Sequence, residues 1–145
     1  MNPISFECKA FKDLPAMELY EVLCLRDLVF VVGQKITAVP EVDGEDPSFH
    51  HLIGRDQMGR VIATARLSLD DTPIKLGRVA VRDDLQRTGI GSALMREAQR
   101  IIGRRPATMN AQAHLEPWYA SLGWKREGPV FLEAEIDHVR MVWPG

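Results

Sequence analysis

Residues 77–92 read GRVAVRDDLQRTGIGS and join an apolar run, which ends at Val81, to a helix pattern that begins near Ile90. Gly89 and Gly91 open that helix, where backbone N–H groups lack intrahelical partners and carry partial positive charge. Glycines let an anion approach those groups closely, and two nearby arginines add positive charge. The stretch therefore predicts a strand, a diphosphate-binding turn and a helix, in that order.

Other glycine-rich turns are possible interpretations of the same residues. A plain strand-to-helix turn that happens to contain two glycines is one of them. A Walker phosphate loop is excluded because no G-x-x-x-x-G-K-[ST] sequence occurs. A dinucleotide-binding turn is disfavoured because the third glycine of its fingerprint is missing.

Alternating strand and helix patterns extend from this stretch in both directions. Strands are expected at residues 5–11, 51–55, 61–69, 74–81, 107–113, 130–136 and 138–143. Helices are expected at residues 15–30, 90–102 and 115–122, and residues 33–48 form a long acidic loop. The first helix is expected to be capped by Asp13. Its apolar face is expected to comprise Met17, Tyr20, Leu23, Cys24 and Leu28. This mixed order predicts an α+β fold, in which a sheet is layered with helices.

Composition limits the class of protein. The chain has 145 residues, which predicts a single domain over residues 1–145. A net charge of −2 disfavours electrostatic binding to nucleic acid. No secretory leader pattern or run of 18 apolar residues is present, and Cys8 and Cys24 form no metal-like pair. We therefore expect a cytoplasmic protein with reduced thiols and no metal or membrane partner.

Several ordered motifs resemble the GNAT acetyltransferases. Gln86-Arg87-Thr88-Gly89-Ile90-Gly91 is similar to that family's Q/R-x-x-G-x-G/A signature. Residues 77–81, 110–113 and 118–124 resemble its fourth strand, its fifth strand and its aromatic-Tyr-x-x-x-Gly-aromatic helix. Residues 25–32 and much of the remaining chain resemble the ElaA-type branch. That branch usually has Glu where this chain has Gly33. If that Glu contacts the acceptor of the acetyl group, the acceptor or the activity of this chain differs.

The resemblance implies a mixed, mostly antiparallel sheet with a splayed pair of parallel strands, and acetyl-CoA as cosubstrate. A β-bulge near Ala80 would separate those strands. The pantetheine arm would pair with the backbone, and the diphosphate would lie on the amides of the turn. The cofactor-binding residues implied are Val79, Ala80, Val81, Gln86, Arg87, Thr88, Gly89, Ile90, Gly91, Ser92, Asn110 and Tyr119.

The resemblance also implies direct acetyl transfer to an amine, with no covalent enzyme intermediate. Tyr119 lies at the family's position for the acid that protonates the leaving thiolate. The candidate bases are His51, Glu133 and His138, and Gln112 is a candidate for orienting the acceptor. Asp43 and Asp46 are interpreted either as part of a solvated loop or as an attraction for a cationic acceptor.

Two other functions stay open on the sequence. A non-catalytic acyl-CoA-binding or regulatory module is compatible with the change at Gly33. A nucleotide-binding domain that uses the same turn is disfavoured by the missing lysine. The acceptor is expected to be a small-molecule amine or a protein amine, and a homodimer is compatible with the habits of small family members.

Overall fold

The computed structural model describes residues 4–144 and consists of one seven-stranded sheet with helices on it. The strands are β1 Ser5–Ala10, β2 His50–Arg55, β3 Val61–Leu67, β4 Ile74–Val81, β5 Ala107–Gln112, β6 Lys125–Glu133 and β7 Ile136–Trp143. Their order across the sheet is β1-β2-β3-β4-β5-β7-β6. Every neighbouring pair is antiparallel except β4 and β5, which are parallel. The predicted α+β class, with a mostly antiparallel sheet and one parallel pair, is confirmed.

Three α-helices accompany the sheet: α1 Ala16–Arg26, α2 Ile90–Ile102 and α3 Glu116–Ser121. One face of α2 is buried, since Leu94 and Ala98 are fully buried and Ile90 is nearly so. This face belongs to the main core, which β2, β3, β4, β5 and β7 complete. No helix within residues 4–144 is long and apolar enough to cross a membrane.

The first helix corrects the predicted helix in its cap, its length and its buried face. Pro15 is the N-cap, with no side-chain cap, and Asp13 lies in a preceding 3-10 turn. After Arg26 the chain continues as a π-helical segment, Asp27–Gly33. Met17 and Tyr20 of the predicted apolar face are 69% and 66% exposed, and Cys24 and Leu28 are also exposed.

The residues that α1 buries instead include two charged ones, Glu18 and Arg26. Glu18 accepts hydrogen bonds from Lys9 at 2.7 Å and Arg55 at 2.7 Å. A hydrophobic period treats such residues as solvent-facing, although partners distant in sequence can allow their burial. The buried face of α1 was therefore predicted wrongly, because the period left out its charged residues.

The remaining boundaries agree with the sequence, except at the C-terminal hairpin. β2 and β3 lie near their expected positions and pair as an antiparallel hairpin. The turn of the β6–β7 hairpin falls at Ala134 and Glu135, which have φ values of 52° and 65°. That turn lies inside the strand predicted at residues 130–136. Most of β6 is exposed at the sheet edge, so its sequence lacks the alternation that would have located it.

Candidate active site

A gap opens in the middle of the sheet where β4 and β5 separate. Within the described chain these strands pair at two positions only, Ile74 with Ala107 and Lys75 with Thr108. Beyond them, the register of β4 against β3 shifts by one residue near Arg78 and Val79. This shift is a β-bulge, which bends a strand away from its neighbour. The bulge expected near Ala80 is therefore present, and it leaves a slot beside β5.

Arg78 marks the strained point of the bulge, because its φ of 51° lies in the left-handed region that non-glycine residues rarely adopt. Its Nε donates to Oε2 of Glu41 at 2.8 Å, and its Nη2 contacts Oδ2 of Asp43 at 3.3 Å. The side chain therefore ties the bulge to the acidic loop. Conformations of this kind persist when surrounding contacts hold them.

Two arginines from other parts of the chain pair with carboxylates of the acidic loop. The fully buried Arg26 donates to Glu41 at 2.8 Å and to Asp46 at 2.8 Å. Arg66 donates to Asp43 at 2.6 Å and to Asp46 at 2.9 Å. The Arg66 guanidinium holds the pKa of Asp43 well below its usual range.

This arrangement differs from both interpretations of the loop. Asp46 is buried and carries two arginine partners, so it is not part of a solvated segment. Asp43 is likewise paired, with Arg66 and Arg78. We therefore assign these two carboxylates to holding the loop against the bulge and not to attracting an acceptor.

One cavity, which we call the turn cavity, lies between the slot and the start of α2. It has a volume of about 450 Å³. Its lining includes Val79, Val81, Gln86, Arg87, Gly89, Gly91, Ser92, Trp118 and Tyr119. Of these nine, all but Trp118 were predicted to bind the cofactor.

The start of α2 presents backbone donors to this cavity. Gly89, the N-cap, has φ 91° and no side-chain capping bond, and within residues 4–144 the first amide of the helix that donates to a backbone carbonyl is that of Ala93. Arg87 also has a positive φ, 65°. Positive φ values at alternate residues of a turn, together with the free amides of a helix start, turn N–H groups toward one concave surface that suits an anion. Chemically, the cavity fits a diphosphate.

Four predicted cofactor residues do not line the turn cavity. Ala80 is buried in a small cluster with Leu25 and Val29, and Ile90 belongs to the main core. The Thr88 hydroxyl donates to the carbonyl of Leu85. None of these three residues lines the turn cavity, so we expect any contact with the cofactor to come from their backbone groups. Asn110, the fourth, lines the neighbouring cavity.

That neighbouring cavity, which we call the hairpin cavity, is bounded by the β6–β7 hairpin and has a volume of about 200 Å³. It shares four residues with the turn cavity: Gln34, Val79, Leu115 and Tyr119. The two cavities therefore meet at the slot between β4 and β5. A molecule in one and a molecule in the other would contact each other there.

Tyr119 lies at this junction with its ring 4.7 Å from that of Trp118. It is nearly buried, and burial raises the pKa of Tyr119 to about 12. The phenol therefore keeps its proton throughout the neutral range. It is a hydrogen-bond and proton donor placed where the two cavities join.

Glu133 and His138 meet in the hairpin cavity. Nδ1 of His138 lies 2.7 Å from the carbonyl oxygen of Ile136, and because a carbonyl oxygen only accepts, Nδ1 carries the proton. In the neutral ring, Nε2 is then a proton acceptor. It lies 3.6 Å from Oε2 of Glu133. Oε1 of Glu133 accepts a hydrogen bond from Asn110 at 3.0 Å.

His51, the third candidate base, is not brought to this site. Its side chain is fully buried and lines neither cavity. Its Nε2 bonds the carbonyl oxygen of Asp46 at 3.1 Å, and its buried Nδ1 has no partner among residues 4–144. Burial lowers the pKa of the imidazole. His51 therefore anchors the acidic loop to β2 as a neutral side chain.

Gln112 and Gln34 close one edge of the slot, since Nε2 of Gln112 donates to Oε1 of Gln34 at 2.8 Å. Gln34 directly follows the π-helical segment, which also places Phe30 in the hairpin cavity. Such segments frequently occur at functional sites. Sequence reasoning did not assign roles to Phe30 and Gln34, because helical periodicity does not reveal a π-helical segment. It also did not assign a role to the turn-cavity residue His114, which lies in a 3-10 turn.

Comparison with known proteins places the geometry in a family context. A family model described as an acetyltransferase (GNAT) domain matches residues 41–144. A UPF0039 protein of Schizosaccharomyces pombe is 36% identical, over 97% of each chain. The protein ElaA of Escherichia coli is 31% identical over 89% of each chain.

Solved structures agree. The crystal structure of an acyl-CoA N-acyltransferase from Pseudomonas aeruginosa is 34% identical, with a TM-score of 0.86 over 97% of this chain and 99% of that one. The crystal structure of Escherichia coli ElaA has the same TM-score at 30% identity, with the same coverage.

Proposed function

The chain belongs to the GNAT acetyltransferase family, and we propose that it transfers the acetyl group of acetyl-CoA directly to an amine acceptor. The observation that carries this proposal is the meeting of two cavities at the slot between β4 and β5. One cavity has the donors of an anion site, and the other has paired proton acceptors. Tyr119 lies in the lining of both.

The turn cavity is where we expect acetyl-CoA to bind. The amides at the start of α2 and the side chain of Arg87 would hold the diphosphate, because they present N–H donors and positive charge to one cavity. The exposed backbone edge of β4 at Val79 and Val81 would hold the pantetheine arm. A backbone N–H in the bulge would polarise the thioester carbonyl, as oxyanion-hole donors do.

The hairpin cavity is where we expect the amine to be deprotonated. Nε2 of His138 accepts a proton in the neutral ring, and Glu133 stabilises the resulting imidazolium from 3.6 Å. Asn110 orients that carboxylate. We therefore assign the base role to His138, with Glu133 as its partner, and Asn110 becomes a positioning residue on the acceptor side.

Tyr119 completes the proton balance. The amine nitrogen forms a bond to the acetyl carbon, and the carbon–sulfur bond breaks. The amine, which reacts in its neutral form, loses a proton to His138, and the sulfur gains one from the Tyr119 hydroxyl. Solvent then takes the proton from His138 and returns one to Tyr119. Because the pKa of Tyr119 is raised to about 12, the phenol is protonated at every pH where the amine can react. The enzyme's activity should therefore not decline through ionisation of Tyr119 at any pH below about 12.

A direct test is acetyl-CoA thiol release in the presence of an amine panel, with the acetylated product identified by mass spectrometry. We expect His138→Gln to lower kcat by a factor of about 10²–10⁴, with acetyl-CoA affinity unchanged. His50→Gln is the matched control, because His50 lies on β2 and lines neither cavity. Full turnover by His138→Gln would remove the base role.

A different result would favour the second function. If acetyl-CoA binds tightly while no amine in a broad panel is acetylated, the chain is a non-catalytic acyl-CoA-binding module. The cytoplasmic location and the homodimer stay predictions from the sequence and its resemblance.

A further inference from the structure

The charges around the hairpin cavity are balanced at every point except one. Of its two basic lining residues, Arg78 already pairs with carboxylates, and the His138 ring, in the neutral form that accepts a proton, adds no cation. Arg78 contacts Glu41 and Asp43, and the three arginines of that cluster match its three carboxylates in number. Arg78 is therefore not a spare cation for an anionic ligand.

Glu133 is the carboxylate left without an arginine or lysine partner among the cavity's lining residues. Its side chain is 49% exposed, and its polar contacts are the Asn110 amide and the His138 ring. A neutral His138 directs an acceptor, Nε2, toward Oε2 of Glu133. Two acceptors separated by 3.6 Å attract a group that carries several N–H donors and positive charge.

The rest of the cavity is small, and its lining is mixed, with Gln34, Glu41 and Gln112 among its polar residues. Its hydrophobic lining includes Phe30, Ile36, Val39, Leu76 and Met109. A volume of about 200 Å³ is below the usual range of about 300–1,000 Å³ for drug-sized ligands. The occupant must therefore be compact and carry a hydrocarbon body.

We propose that the acceptor is a compact primary amine with a hydrocarbon body and no carboxylate, whose ammonium group binds between Glu133 and His138. This inference rests on the proposed function, since it names the acceptor class of that same site. An α-amino acid would fit the size, but its carboxylate would lie beside Glu133 without a free cation to pair with. Like charges held close together weaken binding strongly.

The test compares isopentylamine with leucine, which differ by one carboxylate. Binding of each is measured by calorimetry to the full-length protein saturated with CoA, and acetylation of each is measured separately with acetyl-CoA. We expect isopentylamine to bind at least about tenfold more tightly than leucine. Glu133→Gln should weaken isopentylamine binding and strengthen leucine binding, so that the ratio falls.

Glu127→Gln is the matched control, because Glu127 lies on the same strand, is more exposed and lines neither cavity. It should leave the ratio unchanged. Equal or tighter binding of leucine would overturn the inference, and so would failure of both compounds to bind. If leucine binds as tightly or more tightly and is acetylated, the inference fails but the proposed function stands. Selective binding of isopentylamine without acetylation would support the inference and overturn the proposed function.

Discussion

Replacing each of the two glycines at the start of α2 by alanine should change stability in opposite directions. At Gly91 an added Cβ would lie 3.4 Å from Trp118 and 3.7 Å from Val81, which are ordinary contact distances. The backbone there is helical, so Gly91→Ala should stabilise the fold by up to about 0.5–1 kcal/mol. A Cβ added at Gly89 would have no contacting atom within 4 Å, but φ there is 91°. Gly89→Ala should therefore destabilise the fold by about 1–2 kcal/mol through backbone strain alone.

Gly91→Ala should weaken cofactor binding although it does not weaken the fold. The methyl group of Gly91→Ala lies in the turn cavity against Trp118, in the space we assign to the diphosphate. Losing one charge-assisted hydrogen bond weakens binding by about 1.5–3 kcal/mol. We therefore expect acetyl-CoA affinity to fall about tenfold or more in a variant that is as stable as the parent protein or more stable.

The assay pairs denaturant unfolding without ligand with calorimetric titration of acetyl-CoA. An equally stable Gly91→Ala protein with unchanged affinity would refute the placement of the diphosphate. A Gly91→Ala protein that loses stability would refute the contact geometry itself. Gly89→Ala supplies the control, because its loss of stability is expected from φ and not from blocked space.

Three further predictions concern the acid and the charged cluster. Tyr119→Phe should lower kcat by a factor of about 10²–10⁴ without changing acetyl-CoA affinity by calorimetry, and an unchanged kcat would end the acid role. Arg26→Ala should reduce the unfolding free energy by about 3–5 kcal/mol, because it removes a fully buried cation and leaves three carboxylates with only Arg66 and Arg78 to pair with, whereas the exposed Arg100→Ala should change it little; similar effects in the two variants would contradict this account. In the folded chain Arg66 lowers the pKa of Asp43. Burial alone would raise the pKa of Asp46, but Arg26 and Arg66 together lower it. Their stabilisation should thus be complete above about pH 4 and lost as the pH falls further; Asp43→Asn should flatten this acid dependence, and an unchanged slope would contradict the assignment.

The sequence predicted the parts of the site that follow from local backbone rules. Gly89 and Gly91 identify a turn because helix starts expose amides and glycine tolerates positive φ. The helix pattern begins at Ile90, nine residues after the strand pattern ends at Val81, so the turn joins the two elements. The resemblance of the flanking motifs then predicted the splayed strands and Tyr119.

The sequence could not predict features that depend on contacts between distant residues. Arg26 is read as solvent-facing by any hydrophobic pattern, yet it is buried because Glu41 and Asp46 meet it. His51 looks like a candidate base until the structure shows its imidazole bonded to the Asp46 carbonyl. Gln34 meets Gln112 across 78 residues of chain, which no local pattern records.

The central claim is most directly tested by a crystal structure of the protein with acetyl-CoA. We expect the diphosphate oxygens to lie within hydrogen-bonding distance of the amides at the start of α2. The thioester should lie in the slot between β4 and β5, beside the Tyr119 hydroxyl and open to the hairpin cavity. A cofactor bound elsewhere, or a thioester pointing away from Tyr119 and His138, would contradict the account.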